Sequence, residues 1–305
     1  MTSTTHQICT LIDMENPQDV FEETQKIASM TGAGCNEEAL TRAYSDILDL
    51  FRGIYPGYLA CDTCYHNLKH TTDTLLATAR IMHGGAVDGL HFSRRQVTLG
   101  LIAALMHDTG YILKYGEEGP GARYTLTHIQ RSIDFMEAYF AANGFSRDDF
   151  VSCSHILNCT GLNVAINTIS FTSRENEVVG KMLGTADLLG QMADRTYLEK
   201  LPFLYGEFII AGVPEIGSEL DFFRSTPGFF EITKARFQNE LGGVNRYMRP
   251  HFRVRWGIDE DLYMSAIKRT MAYLKEILEC PPDNCRTQLR RAGVIRNLEH
   301  IPITP

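Results

Sequence analysis

At 305 residues, with 44% hydrophobic and 22% charged content, the chain has the make-up of a globular protein able to bury a sizeable core in one large domain or two smaller ones. Its formal net charge of -8 argues against a general binder of nucleic-acid polymers or anionic membranes. No apolar run approaches the ~20 residues a membrane helix needs, and Met1 to Met14 lacks the basic start and apolar core of a signal peptide.

The expected compartment is therefore the cytoplasm, with the eight cysteines as reduced thiols. Cys61-x-x-Cys64 has the spacing of a zinc or redox pair but no matching second pair, because four residues separate Cys280 from Cys285.

In chain order, residues 1–35 are polar, broken at Thr31-Gly32-Ala33-Gly34, and read as an N-terminal arm. From Asn36, Glu37 to Leu48 has helical apolar spacing with acids in the first turn. A second helix is expected from about Asn67 to Met82, stopped by Gly84-Gly85. Ser93-x-x-Gln96 is a capping box opening a helix to about His107, and Val97 to Met106 is apolar nearly all round, as befits a central helix. After a glycine-rich loop, Thr127-x-x-Gln130 reads as a second capping box, placing His128 in the first turn of a helix that ends near Asn143-Gly144.

Ser146 caps the helix that carries His155, and the helix from near Ser173 carries Asp187. Small residues beside Asp187, Gly184 and Ala186, permit close helix packing. Pro202, Pro214 and Pro227 should break up residues 201–228, where Phe208-Ile209-Ile210-Ala211 is a pocket wall or a contact surface. The last helix runs from Asp259 to Glu279. With no alternating strands, no internal repeat and no composition break, the fold class is all-α, with residues 36–305 as one domain.

The chemistry-bearing residues form an ordered series. His66 and His70 are four apart and share a helical face; His107-Asp108 ends the apolar helix; His128, His155 and Asp187 follow. A mixed imidazole and carboxylate set suits zinc, iron, manganese or nickel, with magnesium possible at one position. Asp108 can send its two oxygens to different ions, so two divalent metals are expected. His70, His107 and Asp187 would complete one site, and His128 with His155 would hold the other.

Two ions ~3.5–4 Å apart clamp an attacking hydroxide and a phosphoryl oxygen, so the pocket should attract a small anionic, phosphate-containing substrate despite the acidic protein. His66, over the centre, is the general acid that protonates the leaving alkoxide. His6, His83, His91, His251 and His300 read as ordinary structural histidines.

This series resembles the HD superfamily of metal-dependent phosphohydrolases, over roughly residues 60 to 200, with 201–305 as a helical extension. Tyr65-His66-Asn67-x-x-His70 is similar to the motif of class I cyclic-nucleotide phosphodiesterases, which implies a proton donor at His66 and a metal ligand at His70. His128, His155 and Ala186-Asp187-Leu188-Leu189 resemble the HD-GYP cyclic-dinucleotide phosphodiesterases, as does Asp194-Arg195-Thr196-Tyr197, set one residue closer to the metal-binding Asp.

Departures are equally definite. Tyr111 stands where each group has a functional Lys or His, His155 is followed by Ile156 rather than a second His, and the Gly-Tyr-Pro signature is absent. The resemblance implies a helical bundle around a two-metal site and hydrolysis of a phosphodiester or nucleotide phosphate by a bridging hydroxide on Asp108, with His66 as acid. Asn67, Tyr111, Lys114 and Arg195 are candidate substrate contacts. The same ligand order also resembles the HD-type di-iron oxygenases acting on a polyol or phosphonate, and a ligand sensor without turnover is a third reading.

Overall fold

The computed structural model describes residues 7–214 and 216–279, with Leu289 and Arg291. Among them are eleven α-helices and no β-strand, in agreement with the helical periodicity; a lone backbone bridge pairs Tyr58 with Lys114. The first three helices are α1 (Pro17–Met30), α2 (Glu37–Phe51) and α3 (Leu68–Val87), opened by the side chains of Asn16, Asn36 and Asn67. The polar N-terminal segment thus holds a helix of its own, which buries Val20, Phe21 and Ile27 and packs on α3.

Gly84-Gly85 does not end α3, which runs on to Val87. A Cβ on Gly84 would lie 1.8 Å from the Tyr247 carbonyl oxygen, and one on Gly85 would meet Met182 and Leu90. These glycines admit neighbouring chain to the flank of α3, which overrides their role as a stop.

α4 (Arg94–Met106) has both halves of the Ser93/Gln96 capping box, and every residue from Val97 to Met106 is buried. It packs against α2, α3, and the next helices α6 (Arg147–Asn158) and α7 (Arg174–Ala193). α5 (His128–Ala142) begins at His128 as expected, but without its capping box. Thr127 has φ -127° and ψ 0° rather than an extended conformation, so its hydroxyl turns back to the Tyr124 carbonyl, while the Gln130 amide donates to Asp134. The chain is already coiled from Gly121 to Tyr124 before it enters α5.

Ser146 and Ser173 cap α6 and α7, and a Cβ on Gly184 would sit 2.3 Å from the Cys159 carbonyl oxygen, so α7 does press closely on its neighbour. The prolines of 201–228 do not act as breaks. α8 (Tyr197–Ile210) runs through Pro202 and α9 (Glu219–Asn239) through Pro227, leaving only Pro214 in the connection. Each proline removes one backbone hydrogen bond, but burial of Leu198, Leu201 and Pro202 in α8, and of Phe223 and Phe230 in α9, offsets it. Ile209 and Ile210 are half exposed.

The chain closes with α10 (Met248–Trp256) and α11 (Leu262–Leu278), the latter capped by Asp261. All six described cysteines are free thiols; Cys280, Cys285, His6 and His300 lie outside the described residues. No described helix is long and apolar enough to cross a membrane.

Candidate metal centre

Packing of α3, α4 and α7 against one another brings three segments to a point. His70 sits in the first turn of α3, where its N–H donates to the capping Asn67 side chain. His107 closes α4, Asp108 follows it, and Asp187 comes from the buried middle of α7.

His70 Nε2 lies 3.1 Å from His107 Nε2, 3.1 Å from Asp187 Oδ1 and 3.2 Å from Asp108 Oδ2. His107 Nε2 is 3.2 Å from Asp108 Oδ2 and 3.7 Å from Asp187 Oδ1. Ligand atoms ~2.1 Å from one ion, at right-angled or tetrahedral positions, stand ~3.0–3.4 Å apart. Those edges match.

Two details fit a cation here. Asp108 Oδ2 is buried and makes no hydrogen bond, although two imidazoles are 3.2 Å away. His107 Nδ1–H donates to the Ala104 carbonyl at 2.8 Å, which leaves the lone pair of a neutral ring on Nε2, facing the cluster. His70, His107 and Asp187 together form a buried group able to hold a metal ion.

The electrostatics ask for positive charge. Burial lowers the proton affinity of His70, but Asp108 and Asp187 outweigh it and raise the pKa to about 10. Burial likewise opposes ionisation of Asp108 and Asp187, yet the facing imidazoles hold both below the usual carboxylate range. A divalent cation would supply that charge without protonating the ligands.

Beside the cluster stands a stack of rings. Tyr111 is buried against both His66 and His128, with centroids 4.4 Å and 4.6 Å away and planes within 20° of parallel, and the two imidazole centroids are themselves 6.2 Å apart. His128 Nδ1–H donates to the Thr125 carbonyl at 2.7 Å, and its Nε2 lies 3.7 Å from Asp108 Oδ1.

His66 Nδ1 is 2.6 Å from Glu207 Oε2, while Glu207 Oε1 accepts the Tyr65 N–H at 2.7 Å. Glu207 therefore fixes both the His66 tautomer and the backbone before it, leaving Nε2 as the nitrogen available to a ligand. A cleft beside His70, with Tyr65, Gln191 and Lys200 among its walls, also meets a linked set of charges. Lys69 pairs with Asp73 at 2.7 Å, and Asp194 pairs with Lys200 and accepts the Thr196 N–H. Burial opposes Asp194 ionisation, but the two lysines bring its pKa down to about 2.

Other sequence candidates lie elsewhere. His155 faces Phe171, not the cluster, and its Nδ1 is buried without a hydrogen bond. The core side of α6 is Cys153, Ile156 and Leu157, and the helical period leaves His155 at its edge. Asn67 spends its carbonyl oxygen on capping and its amide on the Cys64 carbonyl. Lys114 and Arg195 are exposed, and the Arg195 carbonyl accepts from Arg291.

Conversely, Glu207, Lys69, Asp73, Gln191 and Lys200 escape the motif search. Lys69/Asp73 and Asp187/Gln191 do carry the i,i+4 spacing of helix partners, and the Gln191 amide donates to Asp187 Oδ1 at 3.1 Å. Glu207 carries only the oddity of an acid in an apolar helix end. Comparisons with protein-family models, curated proteins and solved structures find no match.

Proposed function

We propose that the chain is a metal-dependent hydrolase of a phosphoester, organised as in the HD superfamily. The observation that carries this reading is the Glu207-anchored His66 imidazole beside the buried cluster, with ring centroids of His66 and His70 5.9 Å apart. His70, His107, Asp108 and Asp187 would hold the first ion, and His128 with Asp108 Oδ1 offers the start of a second position. When bound, a divalent ion lowers the pKa of its water and polarises a phosphoryl oxygen.

The protein's own groups supply the rest. His66 holds a proton on Nε2 while Glu207 accepts from Nδ1. As the bond from phosphorus to the ester oxygen breaks and water adds to phosphorus, shedding one proton to solvent, the Nε2 proton passes to the departing alkoxide, and solvent then reprotonates His66. Tyr111, stacked on His66, limits tilting of the ring. The half-buried Asp194–Lys200 pair braces the neighbouring cleft wall.

The test is elemental analysis of protein purified without chelator, joined to a turnover screen of cyclic nucleotides, cyclic dinucleotides and nucleotide monophosphates. Bound metal with turnover of a phosphoester is expected. Metal without turnover of any of them would sink the hydrolase reading.

A further inference from the structure

We infer that Arg80 marks a buried binding site for a small monovalent anion, ten residues along α3 from His70 of the candidate metal centre and so ~15 Å from it at the helical rise. Arg80 is 0% exposed and is the largest fully buried side chain among the described residues. An arginine guanidinium carries a positive charge and five N–H donors. Nη1 donates to the Tyr263 hydroxyl at 2.9 Å, and the group lies 5.4 Å from the centroid of Phe252 and 5.7 Å from that of Tyr263.

Nε and Nη2, the edge that presents two parallel N–H donors, have no hydrogen-bond partner. Among the described residues no carboxylate forms an ion pair with Arg80: Glu23 is held by both edge nitrogens of Arg255, and Asp73 gives one oxygen to Lys69 while its other, Oδ1, is buried without a hydrogen bond.

A second orphan lies close by. His83, three residues along α3, and His251 of α10 place their Nδ1 atoms 2.9 Å apart, both rings being buried. One Nδ1 must donate and the other accept. If His83 donates, His251 carries its proton on Nε2, which is buried and unpartnered as well. Arg80 and His251 then leave three buried donor nitrogens without partners, beside a guanidinium that has no ion pair, where α3, α10 and α11 meet.

Leaving a buried charge unpaired is among the costliest arrangements a core can hold. A chloride-sized anion on the Arg80 edge answers both the charge and the open donors, and ties α10 and α11 to α3. A second cation or a neutral apolar ligand answers neither.

Crystals of the full chain grown in sodium bromide test this directly. An anomalous peak is expected within hydrogen-bonding reach of Arg80 Nε and Nη2. In parallel, unfolding is followed at fixed ionic strength as chloride replaces gluconate, a much larger anion. The wild-type midpoint should rise by roughly 2–4 °C and then level off, while Arg80→Met shows no chloride dependence. Since that variant could fail to fold, the bromide map of the wild-type protein decides alone. Water-height density without anomalous signal at Arg80 overturns the proposal.

Discussion

His66 and His70 are four residues apart, yet α3 starts only at Leu68, so His66 stands in the bend before the Asn67 cap and not on a helical face shared with His70. His70 converges with His107, Asp108 and Asp187, while His66 is held from behind by Glu207. His66→Ala should therefore keep its metal and lose about 10²- to 10⁴-fold in turnover of whichever phosphoester the screen identifies. Turnover within a few-fold of wild type would remove His66 from the mechanism. Asp187→Asn takes away a ligand oxygen and should purify with little metal, whereas His155→Ala should retain the wild-type metal content by elemental analysis. Loss of metal in the His155 variant would restore that residue to the ligand set.

At the scale of the element, helix glycines differ sharply in what surrounds them. Gly84→Ala would drive a Cβ into the Tyr247 carbonyl and should cost about 3 kcal/mol or more in chemical denaturation. Gly206, in α8, has open space around its would-be Cβ; Gly206→Ala should stabilise by roughly 0.5–1 kcal/mol. Equal effects at the two positions would show that backbone propensity, not packing, governs both.

The cap of α11 offers a pH test. Burial raises the Asp261 pKa from 3.8 to about 6, with two backbone N–H groups only partly offsetting it. The folded state thus holds this proton more tightly than the unfolded state, and stability is withdrawn as pH rises from about 4 through 6. Asp261→Asn keeps the capping oxygen without the charge. It should raise stability by about 1–2 kcal/mol at pH 7, after discounting for the partial exposure of the side chain, and leave it unchanged near pH 4. A gain of the same size at both values would point to something other than ionisation.

Across the whole molecule, the candidate metal ligands come from α3, the end of α4 and α7, so an ion bound there would link ligand binding to folding. Stripping metal with a chelator should lower the unfolding midpoint, and restoring an ion to about 100 times its Kd should return roughly 2.7 kcal/mol. Identical melting curves before and after stripping would separate the cluster from any resident ion. The exposed lysines and arginines beyond the site need no functional account.

Helix content was written locally. Asparagine and serine caps, the apolar band of α4 and the period of α2 need no information from distant residues, because hydrogen-bonding and burial rules act within a few turns. The series His70, His107, Asp108 and Asp187 was legible for a related reason: few side-chain types bind a cation, and four of them ending or facing the core helices stand out even without knowing the packing. What only the tertiary structure decided was which candidates meet. His155 has the right chemistry on the wrong side of its helix, Gly84-Gly85 became a packing surface in place of a stop, and Glu207 reaches His66 across 141 residues of chain. Each outcome depends on where a neighbouring helix lies, and side-chain spacing within one segment carries no record of that.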